Sequence, residues 1–427
     1  MKSGPAIETR TAIGRALQKT REASRGLVTC PSSVIDAVLS DLARRIIEES
    51  PRILQPNRED LSRLDPLDPA HDRLRLDEER LRGIAADMRN VAALASPIGE
   101  VLEQKTLGNG LALSKVRVPM GVIAVVFESR PNVTFDVFAL CLKTHNACVL
   151  KGGSDASETN RVAVELMQDV LAAHGLDPAL VYLAPPERHY LPEILQASGL
   201  IDLAIPRGSR GLIDFVREHA RIPVIETGAG IVHTYVDRSA RLDQAVVIIT
   251  NAKARRVSVC NALDTLLLHR ELLPQLPMLL QTLGEEYKVE VFADEEAYRA
   301  LDGNYAASLQ HAREEHFGQE FLAYRMSVKT VADLQEALEH IHRFGSRHSE
   351  AIVAQDPAVI ERFLDEVDAA VVYANASTAF TDGAQFGMGA EIGISTQKLH
   401  ARGPMALAEL TSYKWLVRGS GQVRPMD

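Results

Sequence analysis

The stretch GVIAVVFESRPN, Gly121 to Asn132, decides the fold. Its first seven residues, 121–127, are apolar without interruption and rich in β-branched side chains. A strand with one wet face would alternate apolar and polar residues, so this run reads as a strand covered on both faces, as in a parallel sheet. Downstream the pattern predicts a helix over 133–145, the strand ACVLK (147–151), the turn GGSDAS and a helix over 158–174. It continues with the strand ALVYLA (179–184), a helix over 190–197, the strand IDLAIP (201–206), the turn RGSRG and a helix over 212–219. Strand and helix alternating at these lengths give an α/β fold with a doubly wound parallel sheet. Such sheets bind ligands at the carboxyl ends of their strands, and two of those ends carry glycines. No G-x-G-x-x-G is present, which counts against an ordinary dinucleotide fingerprint.

Working outward, residues 6–104 read as helices, with apolar positions at Val34, Ala37, Val38, Leu42 and Ile46 and breaks at Pro51, Pro56 and Pro66–Pro69. Between 104 and 118 the pattern turns to two short strands around Asn109-Gly110, a strong two-residue hairpin signal. After Ile231 a second α/β segment runs to about Val371, including an expected helix over 271–283. A strand over 370–375 and the glycine-rich GMGAEIG then precede the basic run Lys398, His400 and Arg402.

The chain has 427 residues, is 46% hydrophobic and 24% charged, and carries a formal net charge of −10. That is material for two packed domains. The acidic balance argues against nucleic acid or an anionic membrane as partner, because both are bound through basic surface. Cys30, Cys141, Cys148 and Cys260 show neither paired nor metal-ligand spacing, which fits a reducing compartment. The N-terminus lacks a signal-peptide core and no apolar run is long enough to span a bilayer, so a cytoplasmic location is expected. His340 and His342 do not share a helix face, no HExxH occurs, and no metal is expected.

Chemistry is concentrated in 222–264. Cys260 follows Lys253, Arg255 and Arg256 and is flanked by Ser258 and Asn261, so positive charge and donors could favour its thiolate. The plainer reading is a small buried hydrophobe. Glu226 opens ETGAG after the apolar run Ile222–Ile225 and lies 260 − 226 = 34 residues before the cysteine. It could be a site carboxylate beside glycines that admit a ligand, or simply a cap.

Glu226 with its glycines, Cys260 at that spacing, and the stretches 118–134 (VPMGVIAVVFESRPNVT), 331–352 (VADLQEALEHIHRFGSRHSEAI) and 386–404 (FGMGAEIGISTQKLHARGP) resemble the aldehyde dehydrogenase superfamily. The resemblance implies a doubly wound parallel-sheet cofactor domain (1–103, 119–230 and 372–410), an α/β catalytic domain carrying the cysteine (231–371) and a small β oligomerisation arm (104–118 and 411–427). It implies Cys260 as nucleophile, Asn132 as oxyanion donor and Glu226 as a further catalytic-site carboxylate. Lys151, Gly153, Ser154, Gly208, Ser209 and Glu320 are implied to bind cofactor; βα-turn chemistry and, for Glu320, a surface position are the alternatives. The implied reaction is NADPH-dependent reduction of an acyl phosphate, L-glutamate 5-phosphate, to its semialdehyde, with Arg130, Lys398, His400 and Arg402 on the phosphate. The alternatives are a hydrolytic aldehyde dehydrogenase and a non-catalytic relative. A homo-oligomer is implied, with the glutamate kinase that supplies the labile substrate as a further partner.

Overall fold

The computed structural model describes residues 11–65, 69–128 and 130–424. The chain forms two compact units, one of residues 1–227, 387–393 and 405–427, the other of residues 228–386 and 394–404.

In the first unit, β1 (Val101–Thr106) and β2 (Ala112–Pro119) form the expected hairpin, and Gly110, at φ +85°, takes the left-handed conformation that the turn requires. The parallel sheet follows from β3 (Val122–Phe127), β4 (Ala147–Lys151), β5 (Val181–Leu183) and β6 (Leu203–Arg207), in the order β5-β4-β3-β6. Every residue of β3 is buried, as its unbroken apolar run demands. The helix Pro131–Lys143 starts with proline at its first turn, where no intrahelical N–H bond is lost. Towards the N-terminus, the helices Ser32–Glu48 and Glu78–Ala93 pack together, and Ile35, Leu39, Leu42, Leu81 and Met88 are buried.

The second unit contains β7 (His233–Val236), β8 (Thr265–His269), β9 (Glu290–Ala293), β10 (Leu309–His311), β11 (Arg325–Val331), β12 (Ser349–Val353) and β13 (Val371–Ala374). Among the described residues they form one parallel sheet, ordered β10-β9-β11-β8-β7-β12-β13. Alternation along the strands builds a core on each face. Leu266, Leu268, Val291, Val328 and Val353 enter one cluster, and Tyr235, Leu267, Val331 and Ile352 the other. Each fully buried leucine contributes about 2 kcal/mol.

Two readings of the sequence are corrected. The segment after 371 does not go straight back to the first unit. β13 pairs in parallel with β12, from Ser349↔Val371 to Ile352↔Ala374, so 372–386 and 394–404 belong to the second unit. A strand carries no label for the sheet that it joins; pairing alone decides. The helix expected over 271–283 is a 3-10 segment, Arg270–Gln275, followed by the short helices Leu276–Leu279 and Gln281–Glu285. Pro274 and Pro277 each remove a backbone donor, which breaks the ladder there.

The chain then forms β14 (Gly393–Ser395) and β15 (Gly403–Met405), which pair with each other, and ends on β16 (Thr411–Arg418). β16 runs antiparallel to β2 from Thr411↔Pro119 to Arg418↔Ala112, giving a three-stranded sheet β1-β2-β16. No helix among the described residues is long and apolar enough to cross a membrane.

Candidate active site

Cys260 sits in the turn between the helix Leu242–Ala254 and β8 and is half-buried, whereas Cys141 and Cys148 lie wholly inside. The Cys148 thiol is held up by its hydrogen bond with Cys141 and by burial, which suits an inert core cysteine. The C-terminal side of the Cys260 turn is tied down through Asn261. Asn261 Nδ2 donates to Thr381 O at 2.9 Å, and Thr378 Oγ1 donates to Asn261 O at 2.8 Å. A methyl group on Gly230 would stand 1.7 Å from the Cys260 carbonyl oxygen, so the two backbones are in direct contact and only glycine fits.

Two carboxylates complete this arrangement. Glu320 Oε1 accepts the Gly230 N–H at 3.0 Å. Asp264 Oδ1 accepts the Phe321 N–H at 3.0 Å, and its Oδ2 the Val232 N–H at 3.4 Å. Burial raises the pKa of Glu320 and of Asp264, the latter against the opposing charge of Lys253. Lys253 is fully buried, donates to Leu263 O at 2.8 Å and interacts by charge with Asp264, while Arg255 and Arg256 are exposed.

In the first unit, Lys151 ends β4 with its side chain buried, and Nζ donates to Pro186 O at 2.8 Å and Gly152 O at 3.1 Å. Burial lowers its pKa. Gly153 caps the 3-10 turn Ser154–Ala156, and Ser154 is exposed beside Asp155, with Oγ and Oδ1 3.3 Å apart. Ser209 caps the helix Arg210–His219 through Oγ, and Glu128 accepts both its N–H at 2.8 Å and its hydroxyl at 3.2 Å. A Cβ on Gly208 would meet Glu128 at 2.6 Å and one on Gly152 would meet Asn160 at 2.5 Å. Side chains therefore crowd both glycines, and a dinucleotide phosphate at the helix N-terminus would take the Ser209 donors from the Glu128 carboxylate.

Asn132 is exposed, one turn from Asp136, whose Oδ2 accepts its Nδ2–H at 3.2 Å. Glu226 is half-buried, with Arg217 Nη1 at 3.7 Å. Arg130 is exposed at the start of the helix that carries Asn132. Lys398 and Arg402 both reach Asp368, at 3.0 and 2.8 Å, and together hold its carboxyl below the usual range; His400 is exposed between them.

Glu128, Asp136 and Asp264 escaped the sequence reading, and Gly230 entered it only as one of the ETGAG glycines. A signal existed for Asp264, a lone carboxylate opening the apolar run TLLLH; burial of such a residue calls for partners. Burial pushes the pKa of Asp136 up to about 7, reinforced by Asp87 and opposed by the hydrogen bond from Asn132. The folded value lies above the unfolded one, so the favourable contribution is complete below the unfolded pKa and is lost as pH rises through about 7. Asp136→Asn is expected to gain about 1–2 kcal/mol at pH 8 and almost nothing at pH 4. Urea unfolding at both pH values checks this, and an equal change at both would refute it.

The two parallel sheets, the three-stranded β sheet and the cysteine turn are the parts of an aldehyde dehydrogenase fold. No family model matches the chain. The gamma-glutamyl phosphate reductase of Chlorobaculum parvum is 60% identical over 415 residues, covering 97% of this chain and 99% of that one. Its counterpart in Parabacteroides distasonis is 55% identical over 409 residues, 96% and 98% of the two chains. The crystal structure of gamma-glutamyl phosphate reductase from Thermotoga maritima superposes with a TM-score of 0.92 at 37% identity, covering 96% of this chain and 99% of that one. An acetylating aldehyde dehydrogenase from Geobacillus thermoglucosidasius, 17% identical and covered to 98%, shares the fold over 97% of this chain with a TM-score of 0.69. The chain belongs to the gamma-glutamyl phosphate reductase family.

Proposed function

We propose that this chain reduces L-glutamate 5-phosphate to L-glutamate 5-semialdehyde and phosphate through a thioester on Cys260, as a step of proline biosynthesis. The reduction itself is the family's activity. The observation that supports the thioester is the half-buried Cys260, in a turn fixed through its neighbour Asn261, in a chain so similar to these reductases. The thiolate attacks the acyl carbon, the C–S bond forms, and the C–O bond to phosphate breaks. Negative charge gathers on the former carbonyl oxygen, for which Asn132 Nδ2 and the Cys260 N–H are the assigned donors, each worth about 3 kcal/mol. Asp136 orients the Asn132 amide by accepting a hydrogen bond from one of its two N–H groups. Glu226 is assigned to positioning, because water activation would waste the thioester. A nicotinamide cofactor, when bound, supplies hydride; Lys151, Gly153, Ser154, Gly208, Ser209 and Glu320 are the residues assigned to hold it. On this reading the first unit serves the cofactor and the second the thiol chemistry.

The carboxylate-free side chain at Ser154, after two glycines, favours a 2′-phosphate and hence NADPH. Asp155 must then turn aside. Ser154→Glu is expected to shift the NADPH-to-NADH preference about tenfold toward NADH. An unchanged ratio of kcat/KM values would place the preference elsewhere.

Arg130, Lys398, His400 and Arg402 are assigned to the leaving phosphate, for which arginine offers a bidentate fork. Phosphate must compete with Asp368 for Lys398 and Arg402. Arg130→Ala and Arg402→Ala are expected to raise KM for glutamate 5-phosphate, and for phosphate in reverse, about tenfold with cofactor KM unchanged. The decisive assay is NADPH oxidation with glutamate 5-phosphate, together with a reverse reaction that stops without inorganic phosphate; reverse turnover without phosphate would favour a hydrolytic dehydrogenase. The exposed side chains of Val101, Tyr413, Trp415 and Val417 on the arm's edge strands support a homo-oligomer. The glutamate kinase is retained as a partner on the lability of its product.

A further inference from the structure

We infer that Glu320 and Asp264 are positioning residues for the Cys260 turn, lacing three chain segments so that the thiol is held for acylation whether or not cofactor is bound. The segments are 230–232, 260–264 and 320–321. Asp264, four residues after the cysteine, takes the N–H of Val232 and of Phe321. Glu320, next to Phe321, takes the N–H of Gly230, and Gly230 bears directly on the Cys260 carbonyl. The backbone continues the lacing: Asp264 N–H donates to Val232 O at 3.0 Å and Ser327 N–H to Asp264 O at 2.7 Å. Lys253 closes it from below, with Nζ on Leu263 O and 5.9 Å from the centroid of the Phe321 ring. An ionised carboxylate accepting from backbone N–H groups makes the stronger, charge-assisted kind of hydrogen bond, and these bonds oppose the rise that burial gives the pKa of Glu320 and Asp264. Losing it leaves a buried donor without a partner, and the segment it held moves.

Glu320 thereby does work in addition to the cofactor contact proposed above, and the consequence for acylation rests on the thioester reading. The test therefore uses a step that needs no cofactor. With p-nitrophenyl acetate, the Cys260 thiolate attacks the ester carbon, the C–S bond forms, the C–O bond breaks, and p-nitrophenolate leaves as a burst. Glu320→Ala is expected to slow that burst about tenfold without cofactor, since small displacements at a reacting centre cost that much or more. Glu320→Gln, whose amide oxygen still accepts the Gly230 N–H, is expected within about threefold of the parent. Asp264→Asn keeps one acceptor and loses the other, and about fivefold slowing is expected; where it does not fold, the Glu320 pair decides alone. A burst rate for Glu320→Ala within about twofold of the parent would overturn the inference, leaving that carboxylate to the cofactor. So would a smaller burst at unchanged rate, which reports only fewer folded sites. A burst that survives Cys260→Ser overturns the thioester reading along with it.

Discussion

Cys260→Ala is expected to lower reductase turnover about a thousandfold or more, because the thioester route has no other nucleophile. Cofactor affinity should hold within about twofold, since removing a nucleophile does not change uniform binding. The three remaining cysteines serve as controls. Cys141 and Cys148 are buried, the latter with its thiol held well up, and Cys30 has a thiol raised by burial. Replacing each by alanine is expected to leave turnover per folded site unchanged, at a stability cost for the two core positions. The measurement is steady-state NADPH oxidation with glutamate 5-phosphate, beside a fluorescence titration of cofactor. Retained turnover in Cys260→Ala would end the mechanism, whatever the similarity of the chain to other reductases.

Gly230→Ala carries the second-largest expected effect, and it follows from geometry alone. The new methyl carbon would lie 1.7 Å from the Cys260 carbonyl oxygen and 2.8 Å from its Cα. Both are backbone atoms and cannot rotate away, so either the Cys260 turn or the 228–232 segment must move. A shift near an ångström at a catalytic nucleophile costs about a hundredfold in rate, and overpacking costs about 1–3 kcal/mol in stability. We therefore expect kcat to fall about a hundredfold while the variant still folds. Gly211→Ala is the matched control: nothing lies within 4 Å of the place its methyl group would take, and inside the helix Arg210–His219 alanine should stabilise by about 0.5–1 kcal/mol. Near-parental kcat in Gly230→Ala would show that the two backbones part easily.

The parallel sheet of the first unit was legible in the residues, because a strand buried on both faces must be apolar at every position and GVIAVVF is. So was the arm hairpin, through Asn109-Gly110, since few residue pairs accept that turn. Cys260 stood out through its neighbours and its distance from Glu226. Other features exist only in the folded chain. Which sheet receives the strand at Val371–Ala374 depends on its hydrogen-bond partner in β12, and nothing in VVYA encodes that. That Lys253 buries its charge against Asp264 and the Leu263 carbonyl depends on partners that only the fold brings to it. Lys398 and Arg402 read as a basic run because the sequence does not show Asp368 beside them. The lacing of Gly230, Asp264 and Glu320 joins segments about 90 residues apart in the chain, and hydrogen bonds of that span arise only once the sheet has closed the loops between them.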